Sequence, residues 1–366
     1  MRRTAFWFIV IVSLVIPLVM PLAPTAKAAG GGGYRTSIPL LSRARSGMDM
    51  TTLKWLNIVN QVRREASAFT FPLPDWEEKS DYSRGAWLHA RYIVMLDFPA
   101  HYEVPGPLAT HEGAKAAQHS IILATSYRPI STERVIYSWL AAPFHGSHFF
   151  EEKVRYVGFG TFYRPVGLYH FAAVMDVTSD IYDGAWNNYP RPYGTFDAWP
   201  GPGTVLPYRA FAGGEYPDPL EVCPGYRYPV GPPIYVFTDT TDGETPEIYS
   251  ARLTDSRGRE VEVCVQTVVD WPQDTWTGRW AQATMFSLRV AFIIPKHPLR
   301  RGETYRVDVV AWDIWRVKKR PYSWQFRVAD DAIFDPLLPE ERVAYEAVRR
   351  GAMRDVRNKR MWNWSR

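Results

Sequence analysis

Cysteine is nearly absent from this chain. Two residues in 366, Cys223 and Cys264, are too few for a disulfide-stapled scaffold or for a zinc site made of cysteine clusters. No Walker-type phosphate loop, no Gly-x-Gly-x-x-Gly turn and no His-Glu-x-x-His helix occurs. A Gly-x-Ser-x-Gly nucleophile elbow is also missing, and His145-Gly146-Ser147-His148 matches it only superficially. Charged residues make up 22% against 46% hydrophobic, which excludes global disorder and supports a packed core. Thirty prolines argue for loops and edge strands rather than a helical bundle. Aromatic residues, by contrast, are abundant at 15%.

The only long apolar run lies at the start. Arg2 and Arg3 precede an almost unbroken stretch over 5–20, and Ala26-Lys27-Ala28 follows as a small-x-small cleavage site. Residues 1–28 therefore read as a signal peptide and the protein as secreted. An uncleaved anchor is disfavoured, because Pro17 and Pro21 interrupt the run and it is short for a span. No stable membrane span is expected after cleavage. Export places the two cysteines in an oxidising compartment, where one disulfide between them is allowed.

The net charge of +5 invites a nucleic-acid reading, but its distribution does not. Arg2, Arg3 and Lys27 leave with the signal, and the tail from Glu340 carries eight Lys/Arg against four Asp/Glu. The body between Ala29 and Pro339 is left at −2. No nucleic-acid partner is expected. The basic tail suits an anionic envelope surface instead.

Periodicity divides the rest. Residues 29–50 form a flexible Gly-rich, basic leader. Helices are expected from Thr51 or Thr52 through Leu53, Leu56, Val59 and Val62, then over 81–96, 112–124 and 131–142, the last capped by Ser131 or Thr132. Two β-type runs, 156–163 and 168–177, flank the turn Arg164-Pro165-Val166-Gly167 and predict a hairpin. Helices followed by a hairpin imply an α+β domain over 51–185. Eleven of the thirty prolines fall in 186–233, which reads as a linker running over surfaces. Short strands are expected at 234–237, 248–253, 261–268, 284–294, 305–312 and 324–328. Their spacing over 234–330 predicts an all-β immunoglobulin-like sandwich. Residues 331–366 form a basic, helix-prone tail.

Histidine placement carries the functional signal. Seven of eight histidines, at 89, 101, 111, 119, 145, 148 and 170, lie in the first domain, and only His297 lies outside. Imidazole is both a metal ligand and a proton carrier near pH 7. For any one of these residues a satisfied structural hydrogen bond is the commoner role.

The pair His101 and His145 stands apart because of its surroundings. Leu56-xxx-Asn60-xx-Arg63, Leu73-Pro74-Asp75-Trp76, and His101 after Met95-Leu96-Asp97-Phe98-Pro99 occur in order. They are followed by Trp139-Leu140-Ala141-Ala142-Pro143-Phe144-His145, Val157-Gly158-Phe159-Gly160 and Tyr169-His170-Phe171. In order and spacing, 53–177 resembles the CAP superfamily, the cysteine-rich secretory, antigen 5 and pathogenesis-related proteins, in its bacterial SCP-like form. The resemblance implies an α-β-α sandwich with an open cleft holding two histidines, here His101 and His145, usually two glutamates, and in some members a divalent metal. The chain departs from that pattern. Gln118-His119-Ser120 stands where Gly-Glu-Asn is expected, and Ala142 where the second glutamate is expected.

Loss of carboxylates disfavours hard cations such as calcium. If His101, His119 and His145 converge, three neutral imidazoles can hold zinc with an open fourth position and activate water. Glu103, two residues from His101, is then the candidate to orient it or carry a proton, and His148 a fourth ligand or a surface residue. The resulting expectation is a secreted, non-catalytic binding protein. Its His-lined cleft, with His101, Glu103, His119 and His145, serves a metal, a small ligand or a cell-envelope partner, and the sandwich is a spacer. A zinc-dependent hydrolase of extracellular polymer is the first alternative. An adhesion protein that binds glycans through the aromatic linker and sandwich is the second, although those aromatics more often pack than bind.

Overall fold

Side chains that alternate across one strand organise the first half of the protein. The computed structural model describes residues 54–69, 72–126, 129–184, 195–238, 247–312 and 318–333. The expected signal 1–28, leader 29–50 and caps Thr51 and Thr52 lie outside the described residues, as does the tail from 334. The first elements are α1 (Lys54–Ala66), β1 (Glu77–Glu78), α2 (Ser80–Leu96), α3 (His111–His119), β2 (Ser120–Thr125), α4 (Thr132–Ala141), α5 (Pro143–Ser147), β3 (Tyr156–Tyr163), β4 (Phe171–Asp176) and α6 (Ser179–Tyr182). The strands make one sheet in the order β1-β3-β4-β2, with β1 parallel to β3 and the other pairs antiparallel. Along β4, Phe171, Ala173 and Met175 join the cluster containing Trp55, Val59 and Trp139 of α1 and α4. Ala172 and Val174 point the other way, to Ala86, Ala90 and Ile93 of α2. The sheet is thus covered by helices on both faces, as its all-buried strand requires.

Glycine sets how closely α2 lies on this sheet. A Cβ on Gly158 would collide with the main chain at Tyr82 and Ser83, and one on Gly160 with that of Trp87. The buried Arg63 fixes the opposite side. Its guanidinium lies over the Trp76 ring, 4.5 Å from the centroid. It donates to the carbonyls of Pro74 (3.0 Å), Phe149 (2.6 Å) and Glu151 (3.1 Å). Asn60 and the Trp76 main chain exchange hydrogen bonds of 3.0 and 2.8 Å beside it.

The helix expected over 112–124 stops at His119. Ile121 and Ile122 are β-branched, and residues 120–125 pair with β4 throughout. The hairpin expected around 164–167 forms as β3 and β4, with Tyr163 opposite Phe171.

The second half holds β5 (Phe196–Trp199), β6 (Val205–Tyr208), β7 (Ile234–Thr238), β8 (Ile248–Asp255), β9 (Glu260–Val261), β10 (Val263–Gln266), α7 (Trp276–Leu288), β11 (Val290–Pro295), β12 (Thr304–Trp312) and β13 (Lys319–Ile333). Two sheets result, β10-β11-β7-β5 and β6-β13-β12-β8-β9. Phe196 joins them, stacked on Tyr322 at 3.7 Å and set edgewise to Trp324 at 5.8 Å.

Three expectations are corrected here. The supposed linker supplies β5 to one sheet and β6 to the other, with Trp199 and Tyr208 buried as core residues. Its residues 186–194 lie outside the described part. The strand expected over 284–294 is instead the end of α7 and then β11. Thr275 caps α7 by accepting from Gly278 N, and Arg289 ends it in the left-handed conformation at φ 52°. Residues 331–333, assigned to the tail, complete β13. Cys223 and Cys264 form a disulfide that ties the turn at Pro219–Val222 to β10.

No boundary between independent bodies falls near 185. One hydrophobic cluster runs from Trp55 through Phe150 to Tyr235 and Phe292, and the described residues belong to a single compact unit. Gly160→Ala is expected to force α2 off its seat and destabilise the protein by about 1–3 kcal/mol in urea unfolding. Unchanged stability would show that the close approach is dispensable.

Candidate ligand-binding cavity

The joint between α4 and α5 positions the site. Ser131 opens α4 by accepting from Arg134 N. Extended backbone at Ala142 ends it, and Pro143 opens α5, as the missing N–H and fixed φ of proline allow. Tyr235, on β7 in the second half, sends its buried hydroxyl to this joint. It donates to Leu140 O at 2.9 Å, with Ala142 O at 3.1 Å sharing the proton. Gly146 makes room for it, since a Cβ there would collide with the Tyr235 hydroxyl. Phe144, on the same short helix, meets Trp271, Trp280 and Phe292 edge-on at 5.4–5.6 Å.

His145 is carried between these two anchors. A cavity of about 350 Å³ opens beside it, lined by His101 and Pro99 from the loop after α2, and by residues 122–126 of β2 and its end. Trp139, Ala142 and His145 line it from the α4–α5 joint, Tyr169 from the hairpin, and Phe211, Gly213, Gly214 and Tyr216 from the second half. The walls are mainly apolar, and among the described residues no lysine or arginine lines them.

His101 and His145, the two histidines singled out in the sequence, are brought together. His101 places Nδ1 3.2 Å from Ala117 O. Burial of its ring and the neighbouring His145 lower its pKa to about 4. The residue nonetheless keeps an exposed edge, so solvent screens part of that effect. His145 lies 2.6 Å from Glu215 Oε1 through Nδ1, and its main-chain N–H donates to the same oxygen at 2.7 Å. The Glu215 side chain is fully buried, and its Oε2 meets no hydrogen-bond partner.

The other two expected site residues go elsewhere. Glu103 turns away from the cavity. Its Oε1 lies 3.0 Å from His89 Nδ1 and its Oε2 accepts from Thr110 N at 2.9 Å, so it closes the buried pair with His89 and the start of α3. Burial pulls the His89 pKa down, and Glu103 acts against that. His119 ends α3 and is not among the residues that line the cavity. Its ring packs on Tyr182 at 4.5 Å and its Nδ1 lies 3.2 Å from Thr178 Oγ1. His148 is not a cavity residue either. Burial holds its pKa down, to about 3, and its Nδ1 is sealed without a partner.

The three-histidine zinc centre is therefore not assembled. Among the described residues, no group of three His, Cys, Asp or Glu side chains is placed to hold a metal ion. The cavity offers two imidazoles, with the one nearby carboxylate already engaged behind His145. That donor set does not fit a resident zinc.

Glu215 is the residue that the sequence reading missed. It sits 70 positions from its partner. The local signal is Gly213-Gly214, whose φ angles of 92° and 109° are open to glycine and strained for other residues. The bridge between Phe211 and Val230 closes the base of this loop. The glycine pair turns the chain so that Phe211 and Tyr216 wall the cavity while Glu215 passes behind it.

Two outcomes follow. Zinc dialysed against the protein at pH 7 is expected to give no stoichiometric uptake with Kd on the order of a micromolar or tighter. Such uptake, lost in the His101→Ala/His145→Ala variant, would instead establish a metal centre. For pH, the folded His101 value lies below that of the unfolded chain, near 6.5. The unfolded state then takes the proton first, and stability is lost as pH falls from about 6.5 toward 4. With solvent screening, the loss is about 1 kcal/mol. It should be smaller in His101→Gln when urea unfolding at pH 7 and pH 4.5 is compared. Asp176, raised to about 6 by burial, acts in the opposite sense, so the difference between the two proteins is the quantity to read.

No protein-family model matches the chain and no curated protein does, which leaves the cavity's own residues as the ground for assigning it a role.

Proposed function

We propose that this is a secreted, non-catalytic binding protein of CAP-superfamily type, with a CAP-like first half followed by an immunoglobulin-like sandwich. The cavity between His101 and His145 takes a small ligand. One observation carries the reading. Two histidines 44 positions apart, singled out by the resemblance of their flanking segments to the CAP superfamily, line a single cavity of about 350 Å³ with mainly apolar walls. That volume lies at the small end of the range for ligand sites, and a few polar groups among apolar walls are their usual chemistry. The sheet with helices on both faces and the two packed sheets after it support the fold assignment. The apolar N-terminal run with its Ala-x-Ala site supports export. No helix among the described residues is long and apolar enough to cross a membrane.

The second half is more than a spacer, because it supplies Phe211, Tyr216 and Glu215 to the site and Tyr235 to its support. The hydrolase alternative loses its three-histidine centre. The glycan alternative loses Trp199 and Tyr208, which are core residues without an open face.

The test is binding of an apolar fluorescent probe, N-phenyl-1-naphthylamine. One molecule per chain is expected, and Ala142→Phe, which puts a ring into the cavity, should weaken it at least tenfold while unfolding stays cooperative. Failure of the native protein to bind, or full binding by Ala142→Phe, would remove the cavity from consideration.

A further inference from the structure

The hydrogen-bonding sense of the two imidazoles is fixed from behind. A main-chain carbonyl only accepts, so the contact of His101 Nδ1 with Ala117 O assigns the ring hydrogen to Nδ1. Glu215 Oε1 already accepts from the His145 main-chain N–H, and at 2.6 Å it receives Nδ1–H of the same residue. A neutral ring with its hydrogen on Nδ1 has a bare lone pair on Nε2. Among the described residues, neither Nε2 meets a protein partner. Among the described residues the wall adds no cationic side chain; apart from the apolar Pro99, Ile122, Trp139 and Phe211 it carries the neutral hydroxyl residues Thr125, Ser126, Ser138, Tyr169 and Tyr216.

We infer that the cavity selects apolar molecules whose polar end donates hydrogen bonds, a hydroxyl or an amino group, and rejects those that end in a carboxylate or phosphate. Glu215, supplied by the second half, is the positioning residue that sets this preference. The inference rests on the cavity being a ligand site and adds the class of ligand. An alcohol or phenol donates its O–H to one of these acceptor nitrogens. A carboxylate of the same size would meet the two lone pairs with no counter-charge among the described wall residues, only neutral hydroxyls such as those of Ser126 and Tyr169, and would lose its hydration as well. Glu215 acts without touching the ligand, because its oxygens are sealed behind the imidazole.

The experiment compares 4-butylphenol and 4-butylaniline with 4-butylbenzoate by calorimetry on the full chain at pH 7.5. The phenol and the aniline are expected to bind at least tenfold tighter than the benzoate. In Glu215→Leu the ring loses its acceptor, both tautomers populate, and the preference should fall to within about threefold. Glu215→Gln keeps an oxygen acceptor and should retain it. Nitrogen-15 spectra of the ligand-free protein give a second readout that a merely structural role would not move. His145 Nε2 is expected at the unprotonated position in the native protein and averaged in Glu215→Leu. Tighter benzoate binding, or a protonated His145 Nε2, overturns the inference while leaving the cavity a ligand site. If N-phenyl-1-naphthylamine and all three ligands fail to bind, the binding function falls with it.

Discussion

The hydroxyl of Tyr235 is the contact on which the site depends. A phenol buried this deeply has its pKa pushed well up by loss of water, so it remains a donor. Its nearer acceptor, Leu140 O, lies in the last turn of α4, where helical partners for carbonyls run out, while Ala142 O also accepts from Gly146 N at 2.8 Å. The helix end and the hydroxyl therefore satisfy each other, and leaving either alone would cost about 1–3 kcal/mol. Geometry follows from that pairing. Gly146 must lack a side chain, α5 must begin at Pro143, and His145 must face the loop that brings Glu215. Phe150 packs against Tyr235 and Phe237 at 5.5 and 4.9 Å on the same surface, which keeps water from the joint.

A carboxylate sealed behind an imidazole has a different effect from one in the open. Glu215 gives up hydration and receives two N–H groups from a single residue. Those charge-assisted bonds offset part of the desolvation cost and orient the ring at the same time. His101 reaches the same hydrogen-bonding sense with a main-chain carbonyl and no charge. The two rings thus present like edges to one space although their supports differ.

What the sequence disclosed followed the range over which its signals act. His101 and His145 were legible because flanking motifs fix them within the first half. The β3–β4 hairpin was legible from an aromatic, β-branched run broken by Arg-Pro-Val-Gly. Glu215 was not, because its meaning depends on a partner 70 residues away and on a turn that only two adjacent glycines announce. The Pro-rich stretch was misread because proline density averages over strands of four residues, too short to show alternation. β13 was read short, and α7 was missed because Val290 to Ile294 lent their β character to the end of the preceding helix. His119 was drawn into the site by its offset in the motif, whereas its ring packs on Tyr182, outside the cavity lining. Glu103 was drawn in by adjacency to His101, but a side chain two residues on has no need to point the same way.

The joint at Tyr235 also bears on the order of events as the chain is made. Synthesis runs from the amino end, and domains generally fold as they emerge. The first half here is complete in helices and sheet by Tyr182, yet the partner for the Leu140 carbonyl, the carboxylate for His145 and one wall of the cavity arrive only with residues 211–237. Until then the Leu140 carbonyl lacks the Tyr235 hydroxyl, Phe144 lacks Trp271, Trp280 and Phe292, and Phe150 lacks Tyr235 and Phe237. The cavity is the last part of the first half to become whole.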